Sequence, residues 1–334
     1  YYEYHKNRNE DKVELWKNLE LDVFPGVLPI PKQPMVPDQI SEYEWKFLDP
    51  NSGFWGIYEY SEVSDVYDQV NSSLKEGGLA ELEKLTNYLE KQEFDPDLWD
   101  FSLVETVIDG LGSEFMVLGE ADVEIGSTYD WAETFLIGLL ETPDLIHRYL
   151  DARLKPALKM TEMLLERGVH GIHGGYDWAS NKGPVFSPRH FRQFVFPRLK
   201  QITDLCHRFG VPYIKHTDGN VNVLLKDMID AGVDGFQAIE PRARMNIAQI
   251  KKDYGDQLTL IGNVDCSTVL VDGPEEAVSE ETKNIIHVAA PGGGFLLSSS
   301  NSIHPGVKPE YYLAMLNTAR KEGKYPILKK NGEI

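Results

Sequence analysis

From about residue 101 onward, short apolar runs alternate with amphipathic stretches of helical spacing. The apolar runs cover 114–122, 171–178, 211–219, 234–241, 258–265 and 294–301. The spacing predicts helices between them, over 143–168, 188–210 and 223–232. Strand–helix–strand alternation is typical of parallel strands covered by helices. The sequence therefore predicts an α/β fold.

Two architectures fit this alternation, a (β/α)8 TIM-type barrel and a doubly wound open sheet. No G-x-G-x-x-G follows any candidate strand, and the glycines of APGGGF at 290–295 precede one, so nothing marks a dinucleotide-binding open sheet. A length of 334 residues suits one barrel. We predict a single barrel domain over 1–334, with the main barrel at 101–325.

The first hundred residues have a different composition. Prolines crowd the segment FPGVLPIPKQPMVP at 24–37, and proline fixes φ and removes a hydrogen-bond donor. Alternating aromatic residues at 52–63 predict a hairpin, and 79–92 has helical spacing. We therefore expect 1–100 to form an N-terminal extension that wraps the barrel and supplies its first elements.

The charge balance limits the partners. Acidic residues outnumber Lys and Arg by 53 to 33, which gives a net charge of −20. Phosphate groups repel such a surface, so neither nucleic acid nor an anionic membrane is expected as a partner. No apolar run is long enough to span a bilayer. Two cysteines do not make a disulfide framework, and we expect a cytoplasmic protein.

Almost every predicted strand ends in polar side chains. In a barrel these ends meet at one mouth, where catalytic groups lie. Asp and Asn after a strand also cap helices, which is the alternative explanation. The residues in question are Glu120, Asp122, Tyr176, Asp177, Trp178, His216, Asp218, Glu240, Asn263, Asp265, Cys266, Asn301 and His304.

Three of these residues form a candidate metal site. His216, Glu240 and Cys266 end neighbouring strands and would leave a fourth position open, as in catalytic zinc sites. Asp218 is a further ligand, a partner that orients His216, or a helix cap. Cys206 lies in a helical pattern and is expected in the core. Neither H-E-x-x-H nor C-x-x-C supports the site, so it depends on the predicted topology.

Several segments resemble the uroporphyrinogen decarboxylase superfamily. They are YDWASNKGPVFSPRHFRQFVFPRLKQI at 176–202, HTDGN at 216–220, GNVD at 262–265 and SIHPGVKPE at 302–310, with a weaker likeness in SGFWGIYEY. The resemblance covers roughly 100–320 and implies a single (β/α)8 barrel. The superfamily contains the decarboxylase and zinc-dependent methyltransferases that work with a corrinoid protein.

Arginine content separates these two branches. The decarboxylase holds a tetrapyrrole with eight carboxylates and carries an Arg-rich N-terminal segment for it. Here Arg8 is the only arginine before Arg148, and an arginine-poor acidic chain is a poor clamp for a polyanion. The resemblance therefore favours the methyltransferase branch, with a decarboxylase-like lyase as an alternative.

The coenzyme M branch of these methyltransferases has a His-x-Cys pair, a glutamate on the next strand and a later cysteine. His216 and Glu240 match, but Asp218 and Asn301 occupy the cysteine positions. Cys266 is then interpreted as the replacement for the lost thiolates. A His/Glu/Cys site is harder than a thiolate-rich one and better suited to an oxygen ligand.

This resembles the first methyltransferase of O-demethylase systems. The expected reaction moves a methyl group from a methoxylated, vanillate-like aromatic to a Co(I) corrinoid. Because the chain lacks a D-x-H-x-x-G signature, the corrinoid is expected on a separate protein. Methyl transfer from a methylamine or methylthiol, and a non-catalytic binding barrel, remain alternatives. The sequence does not fix the oligomeric state, and a homodimer is the assembly considered.

The same interpretation implies roles for the remaining candidate residues. Aromatic walls for the substrate are expected from Trp55, Tyr58, Tyr176 and Trp178, with Asn301 as a further substrate contact. Catalytic roles in orienting a hydroxyl or in protonation are expected for Asp177, Asp218 and His304. For each aromatic residue, plain packing is the alternative, and for His304 it is a structural role in its loop.

Overall fold

The computed structural model describes residue 11 and residues 13–63, 65–123, 125–127 and 129–327. The chain forms two compact units. Unit 1 comprises 1–59, 68–176 and 189–214, and unit 2 comprises 60–67, 177–188 and 215–334. The prediction of one domain over 1–334 stays a prediction.

Unit 1 is built on parallel strands. Val23–Val27 pairs with Met116–Glu120, which pairs in turn with Gly171–Gly174. Ile172 N donates to Pro212 O at 3.0 Å, just before the strand Tyr213–His216. Strands of this kind are buried on both faces and therefore read as apolar runs, as Val117, Leu118 and Ile172 illustrate.

Unit 2 continues the same pattern. Thr217 N donates to Gln237 O at 3.1 Å, at the end of Gly235–Gln237. That strand pairs in parallel with Thr259–Val264, which pairs with Phe295–Ser299. All six strands predicted from apolar runs are thus confirmed, each a few residues shorter than its run.

Helices separate these strands in sequence. Side-chain caps begin two of them: Ser72 Oγ accepts from Lys75 N at 3.1 Å, and Asn246 Oδ1 accepts from Gln249 N at 3.2 Å. Proline occupies the first turn of Pro143–Glu166, Phe196–Arg208 and Pro309–Glu322, where its missing donor costs little. The helices are Ser73–Leu89, Ser102–Leu111, Ala132–Glu141, Pro143–Glu166, Pro188–His190, Phe196–Arg208, Leu225–Asp230, Ile247–Tyr254, Val269–Asp272, Glu275–Ala289 and Pro309–Glu322, with a π-helical turn at Phe191–Val195 and 3₁₀ turns at Pro96–Leu98 and Pro241–Ala243.

The N-terminal hundred residues are more regular than predicted. Val23–Val27, assigned above to a wrapping segment, is instead a strand of the parallel sheet, with Pro25 inside it. It lies at the sheet edge, where proline is tolerated. The predicted hairpin at 52–63 is one antiparallel strand, Trp55–Ser61, paired with Glu44–Leu48. Short strands complete the region at Ile30–Pro31, Asp38–Gln39, Val66–Ser72 and Trp99–Asp100, and a small ribbon in unit 2 is formed by Ala179–Ser180 and Gly183–Pro184.

Within the described ranges, no helix has the length and apolar character that a membrane span requires.

Gly174 lies at a tightly packed position of unit 1. An added Cβ would lie 1.9 Å from Tyr213 Oη and 2.9 Å from Asp122 Cγ, two groups already joined by a 3.0 Å hydrogen bond. We expect Gly174→Ala to lower the free energy of unfolding by about 3 kcal/mol or more, because the clash displaces a buried hydrogen bond. Urea denaturation measures this loss.

The matched control is Gly110→Ala. Gly110 lies in the helix Ser102–Leu111, and an added Cβ there meets only Val13 Cγ1, at 3.6 Å. Alanine is the better helix former by about 1 kcal/mol, so this variant should be neutral or more stable. Equal losses in both variants would show that Gly174 is not specially constrained.

Candidate metal and active site

His216 is the last residue of the strand Tyr213–His216 in unit 2, and its neighbours fix its tautomer. Its Nδ1 contacts Gln237 Oε1 in a short hydrogen bond. An amide oxygen only accepts, so Nδ1 donates this hydrogen bond and Nε2 is the ring nitrogen left on the opposite side. Nε2 lies 3.5 Å from Asp177 Oδ1 and 3.7 Å from Asp218 Oδ1. The imidazole therefore directs Nε2 toward two carboxylates.

The loop after this strand is held rigidly. Thr217 is fully buried, and its Oγ1 accepts from Trp178 N at 2.8 Å. Gly219 has φ +80°, and a Cβ there would lie 2.7 Å from the backbone of Ala179 and Ser180. Only glycine fits this left-handed, crowded position. Gly219 ends the apolar run because the chain must turn under the ribbon at 179–184 while presenting Asp218.

Asp218 is the most perturbed group of the site. Asp218 N donates to Asp177 Oδ1 at 2.7 Å, and Asn301 Nδ2 donates to Asp218 Oδ2 in a short bond. Oδ1 is buried and accepts no hydrogen bond within the described chain. Burial raises the pKa of this carboxyl to about 6, with further increases from Asp177 and Glu240 that His216 and Asn301 partly offset.

Glu240 lies beside the same loop. It follows Gly235–Gln237 and precedes the 3₁₀ turn Pro241–Ala243. Its Oε2 accepts from Gly219 N at 3.0 Å, which anchors the loop that carries Asp218. Its charge also disfavours ionisation of Asp218. Glu240 thus adds a further negative charge in the neighbourhood of Asp218.

The donor atoms fit a divalent cation. Asp177, His216 and Asp218 each offer one ligand atom, and these atoms lie within 4.8 Å of one another. Imidazole nitrogen and carboxylate oxygen are both ordinary zinc ligands. A cation would also satisfy the buried Oδ1 of Asp218 and offset the excess negative charge. The residues therefore fit the expected metal, with a ligand group that differs from the predicted one.

Cys266 lies outside this three-residue group. Its side chain is 2% exposed, and Ser300 Oγ lies 3.5 Å from its Sγ. Cys266 N also donates to Ser300 Oγ at 3.3 Å, so thiol and backbone both contact one buried serine. Glu240, the other predicted ligand, contacts the Gly219 backbone. Of the predicted set His216, Glu240 and Cys266, only His216 belongs to the group that the geometry brings together.

His304 and Asn301 follow the strand Phe295–Ser299. His304 Nδ1 accepts from Gly306 N at 3.1 Å, and Nε2 contacts Cys266 O at 3.0 Å. Both ring nitrogens thus engage backbone groups, which is a structural role in the loop. Asn301, predicted as a substrate contact, donates to Asp218 and so orients a candidate ligand.

The predicted aromatic walls have separate environments. Trp178 is 1% exposed and Lys215 Nζ lies 4.2 Å from the centroid of its ring, which is a buried packing position. In unit 1, Lys46 Nζ lies 4.9 Å from the Trp55 ring, and Tyr58 Oη accepts from Gln69 at 3.3 Å. Tyr176 lines a cavity of unit 1.

Sequence reasoning missed the hydrogen bond between Gln237 and His216 and the position of Asp177 among the candidate ligands. A glutamine at the end of an apolar strand, next to a strand that ends in histidine, is the signal that was available for Gln237. Asp177 was assigned to catalysis because it follows a strand, but nothing in its spacing places it against His216.

A family model matches the part of the chain that contains the site residues. The model described as uroporphyrinogen decarboxylase (URO-D) matches residues 123–322, more than half of the chain. The chain belongs to the URO-D family. Its (β/α)8 TIM-type α/β fold is thereby confirmed, in agreement with a solved structural neighbour. That neighbour is a methyltransferase from Methanosarcina mazei, with a TM-score of 0.60 and 22% identity over 71% of this chain and 69% of its own.

Curated relatives fall in both branches of the URO-D family. The methylcobamide:CoM methyltransferase MtaA of Methanosarcina barkeri is 28% identical over 221 residues, which is 66% of this chain and 62% of the relative. A uroporphyrinogen decarboxylase of Thioalkalivibrio sulfidiphilus is 24% identical over 206 residues, 60% of this chain and 55% of the relative. The chain thus spans less than two thirds of the length of these relatives.

Asp218 should destabilise the metal-free protein. A carboxyl whose folded pKa lies above its unfolded value weakens the fold as pH rises from about 4 through 6, and the full loss applies above 6. Asp218→Asn removes this loss. In the presence of a chelator at pH 7, we expect the variant to be more stable by about 2 kcal/mol, a figure reduced for partial exposure. Urea unfolding at pH 7 and pH 4.5 measures it, and the gain should shrink at the lower pH.

The control for this comparison is Asp256→Asn at an exposed site of unit 2. This variant should leave stability unchanged at both pH values. A destabilised Asp218→Asn protein at pH 7 would contradict the assignment of Asp218 as an unfavourably buried charge.

Zinc affinity separates the two ligand sets. We expect His216→Ala and Asp177→Asn to weaken zinc binding by about 100-fold or more, since losing only an outer partner of a ligand costs about 10–100-fold. Cys266→Ala should bind zinc as the parent does. Calorimetric titration with zinc on chelator-stripped protein measures all three. Loss of binding in Cys266→Ala with retention in Asp177→Asn would restore the set predicted from sequence.

Proposed function

We propose that this protein is a zinc-dependent methyltransferase. Its substrate is a methoxylated aromatic, and its acceptor is the Co(I) corrinoid of a separate protein. The observation that carries the proposal is the cluster of Asp177, His216 and Asp218 at the strand ends of a URO-D fold. The methyl donor, the metal and the corrinoid partner are all part of what we propose.

Family relatives support methyl transfer to or from a corrinoid. The MtaA relatives act, by their name, on a methylcobamide and coenzyme M. The first two decarboxylase relatives match over shorter stretches, 206 and 186 residues against 221 for MtaA, at 24% and 25% identity. The scarcity of arginine before Arg148 also disfavours a substrate with eight carboxylates.

The donor atoms support an oxygen substrate over a thiol. Two carboxylates and one imidazole form a harder site than the thiolate-rich site expected for thiol activation. Asp218 stands where the coenzyme M branch has a cysteine, so a soft ligand is replaced by a hard one of equal charge. The geometric set contains no sulfur at all, which strengthens the argument made from sequence.

Each residue has a defined part in the proposal. Asp177, His216 and Asp218 hold the metal, Gln237 fixes the tautomer of His216, and Asn301 orients Asp218. A bound zinc ion supplies Lewis acidity toward the ether or the adjacent phenol oxygen. The side chain of Asp177 is more exposed than that of Asp218, 36% against 27%, which favours Asp177 for proton exchange with solvent.

The proposed reaction balances without an added oxidant or reductant. The bond between the aryl oxygen and the methyl carbon breaks, and its electron pair stays on the oxygen. The new bond from the methyl carbon takes both electrons from Co(I). The phenolate product then gains a proton. Because negative charge develops on oxygen at the site, the carboxylates of the chain act through the cation they hold, not through direct contact with the leaving oxygen.

A second candidate is methyl transfer involving a thiol. The 28% identity to a methyltransferase named for coenzyme M favours it. It requires a metal that binds a soft thiolate. His216, Asp177 and Asp218 form a set of harder ligands, which favours a metal that binds oxygen. The two candidates therefore differ in one measurable property, the class of methyl donor or acceptor used.

A donor panel tests the proposal. The protein, a Co(I) corrinoid protein and zinc are incubated with vanillate, guaiacol, methylamines and methylthiols, and methyl–cobalt absorbance is followed. We expect methylation from the aryl ethers only. The His216→Ala variant should lose at least about 100-fold in rate, whereas Asp256→Asn should retain the parental rate. Methylation from thiols or amines alone would contradict the proposed donor.

A further inference from the structure

Ile239, in unit 2, has a backbone conformation that its side chain disfavours. Its φ is +56°, and its side chain is fully buried. A β-branched residue in the left-handed region crowds its own backbone, so this conformation persists only where the surroundings enforce it. Ile239 directly precedes Glu240, whose carboxylate accepts from the Gly219 amide. Whatever enforces the conformation of Ile239 therefore also sets the direction in which the chain enters Glu240.

The side chain of Asn263 contacts the backbone at this point. Asn263 lies on the neighbouring strand Thr259–Val264, is 4% exposed, and its Nδ2 donates to Ile239 O at 2.9 Å. A carbonyl oxygen only accepts, so the carboxamide must present its nitrogen to it. Ile239 O belongs to the peptide group that joins Ile239 to Glu240. The hydrogen bond therefore holds that peptide group in one orientation.

The carboxamide oxygen of Asn263 has no comparable partner. Asn263 Oδ1 is buried and accepts no hydrogen bond within the described chain. A buried acceptor without a partner costs stability, a cost that an apolar side chain of similar shape would avoid. The donor at Nδ2 is thus the part of the side chain that the structure uses. This asymmetry indicates a role in holding Ile239 O and not in general packing.

The backbones of the two segments also lie unusually close together here. A Cβ at Gly262, the residue before Asn263, would lie 2.6 Å from Ala238 O, next to Ile239. Only glycine allows the strand Thr259–Val264 to approach the other segment this closely. The two segments are therefore fixed relative to each other at the point where the Asn263 side chain acts.

We propose that Asn263 is a positioning residue of the candidate metal site. Through Ile239 O it holds Glu240 against the Gly219 amide, and this contact keeps the loop that carries Asp218 in the geometry that a cation requires. Asn263 acts through Glu240 and is not a ligand. The link to metal binding rests on the proposed function, whereas the restraint on the Gly219 amide is a property of the metal-free protein.

Amide hydrogen exchange of chelator-stripped protein, followed by NMR, tests this restraint. We expect Asn263→Ala to speed exchange of the Gly219 amide at least about fivefold, because the contact with Glu240 that protects it is loosened. The Thr259 amide donates to Asp234 O at 2.8 Å and is the internal reference for any general loss of stability. The milder variant Asn263→Ser should change Gly219 exchange in the same direction, and it replaces Asn263→Ala if that variant fails to fold.

Asn246→Ala is the matched control. Asn246 is also an asparagine of unit 2 bonded to backbone, since it accepts from Gln249 N at 3.2 Å at the start of the helix Ile247–Tyr254. Losing this cap shifts the unfolding equilibrium by about fivefold. The control is therefore destabilised as well, but its Gly219 exchange relative to Thr259 should remain parental.

A double-mutant cycle tests whether Asn263 acts through Glu240. Glu240→Ala alone removes the acceptor of the Gly219 amide and should speed its exchange at least as much as Asn263→Ala does. Adding Asn263→Ala to Glu240→Ala should then change the rate little further. Parental Gly219 exchange in the folded Asn263 variant, or additive effects in the cycle, would overturn the inference.

Zinc titration by calorimetry supplies a second readout that a merely structural role would not change. We expect Asn263→Ala to weaken zinc binding by about tenfold, as loss of an outer partner of a ligand does, and Asn246→Ala to bind zinc as the parent does. Parental zinc affinity in Asn263→Ala would also overturn the inference. A parent protein that binds no zinc would instead contradict the proposed function, and hydrogen exchange would still decide the role of Asn263.

Discussion

The negative charge around Asp218 is the constraint on which the site depends. Asp177 and Asp218 lie near the His216 imidazole, and the pKa of the Asp218 carboxyl is raised by burial first and then by the charges of Asp177 and Glu240. Like charges at this range destabilise one another unless a cation lies between them. The loop with Thr217 and Gly219 nevertheless holds Asp218 in place. The fold therefore accepts a local loss of stability that a bound cation would reverse.

Hydrogen bonds decide which atoms remain available for that cation. Gln237 engages Nδ1 of His216, Asn301 engages Oδ2 of Asp218, and the Gly219 amide engages Glu240. Nε2 of His216 in turn faces Oδ1 of Asp177 at 3.5 Å and Oδ1 of Asp218 at 3.7 Å. Partners of this kind orient ligands before a metal arrives and so lower the ordering cost of binding. Mutating them would alter affinity without removing a ligand.

The fold was predictable where burial produces a simple pattern. Strands buried on both faces read as apolar runs, and all six predicted runs contain a strand. Val23–Val27 was missed because Pro25 and Gly26 interrupt its run, and local breakers outweigh a tertiary preference in any reading of sequence alone. An edge strand tolerates proline, but edge position is a property of the assembled sheet and not of the segment. Strand ends were predictable for the same reason as the strands.

The composition of the site was less predictable, because residue type does not reveal direction. Cys266 was assigned to the metal for its chemistry, yet its thiol contacts buried Ser300, while Asp177 lies against His216. Exchanging sulfur for a carboxylate keeps the ligand charge at −1 but makes the site harder. A hard site binds its cation mainly through charge. The acidic neighbours that raise the pKa of Asp218 therefore also strengthen cation binding. The carboxylates that destabilise the metal-free protein are thus the groups that favour binding of a cation that prefers oxygen ligands.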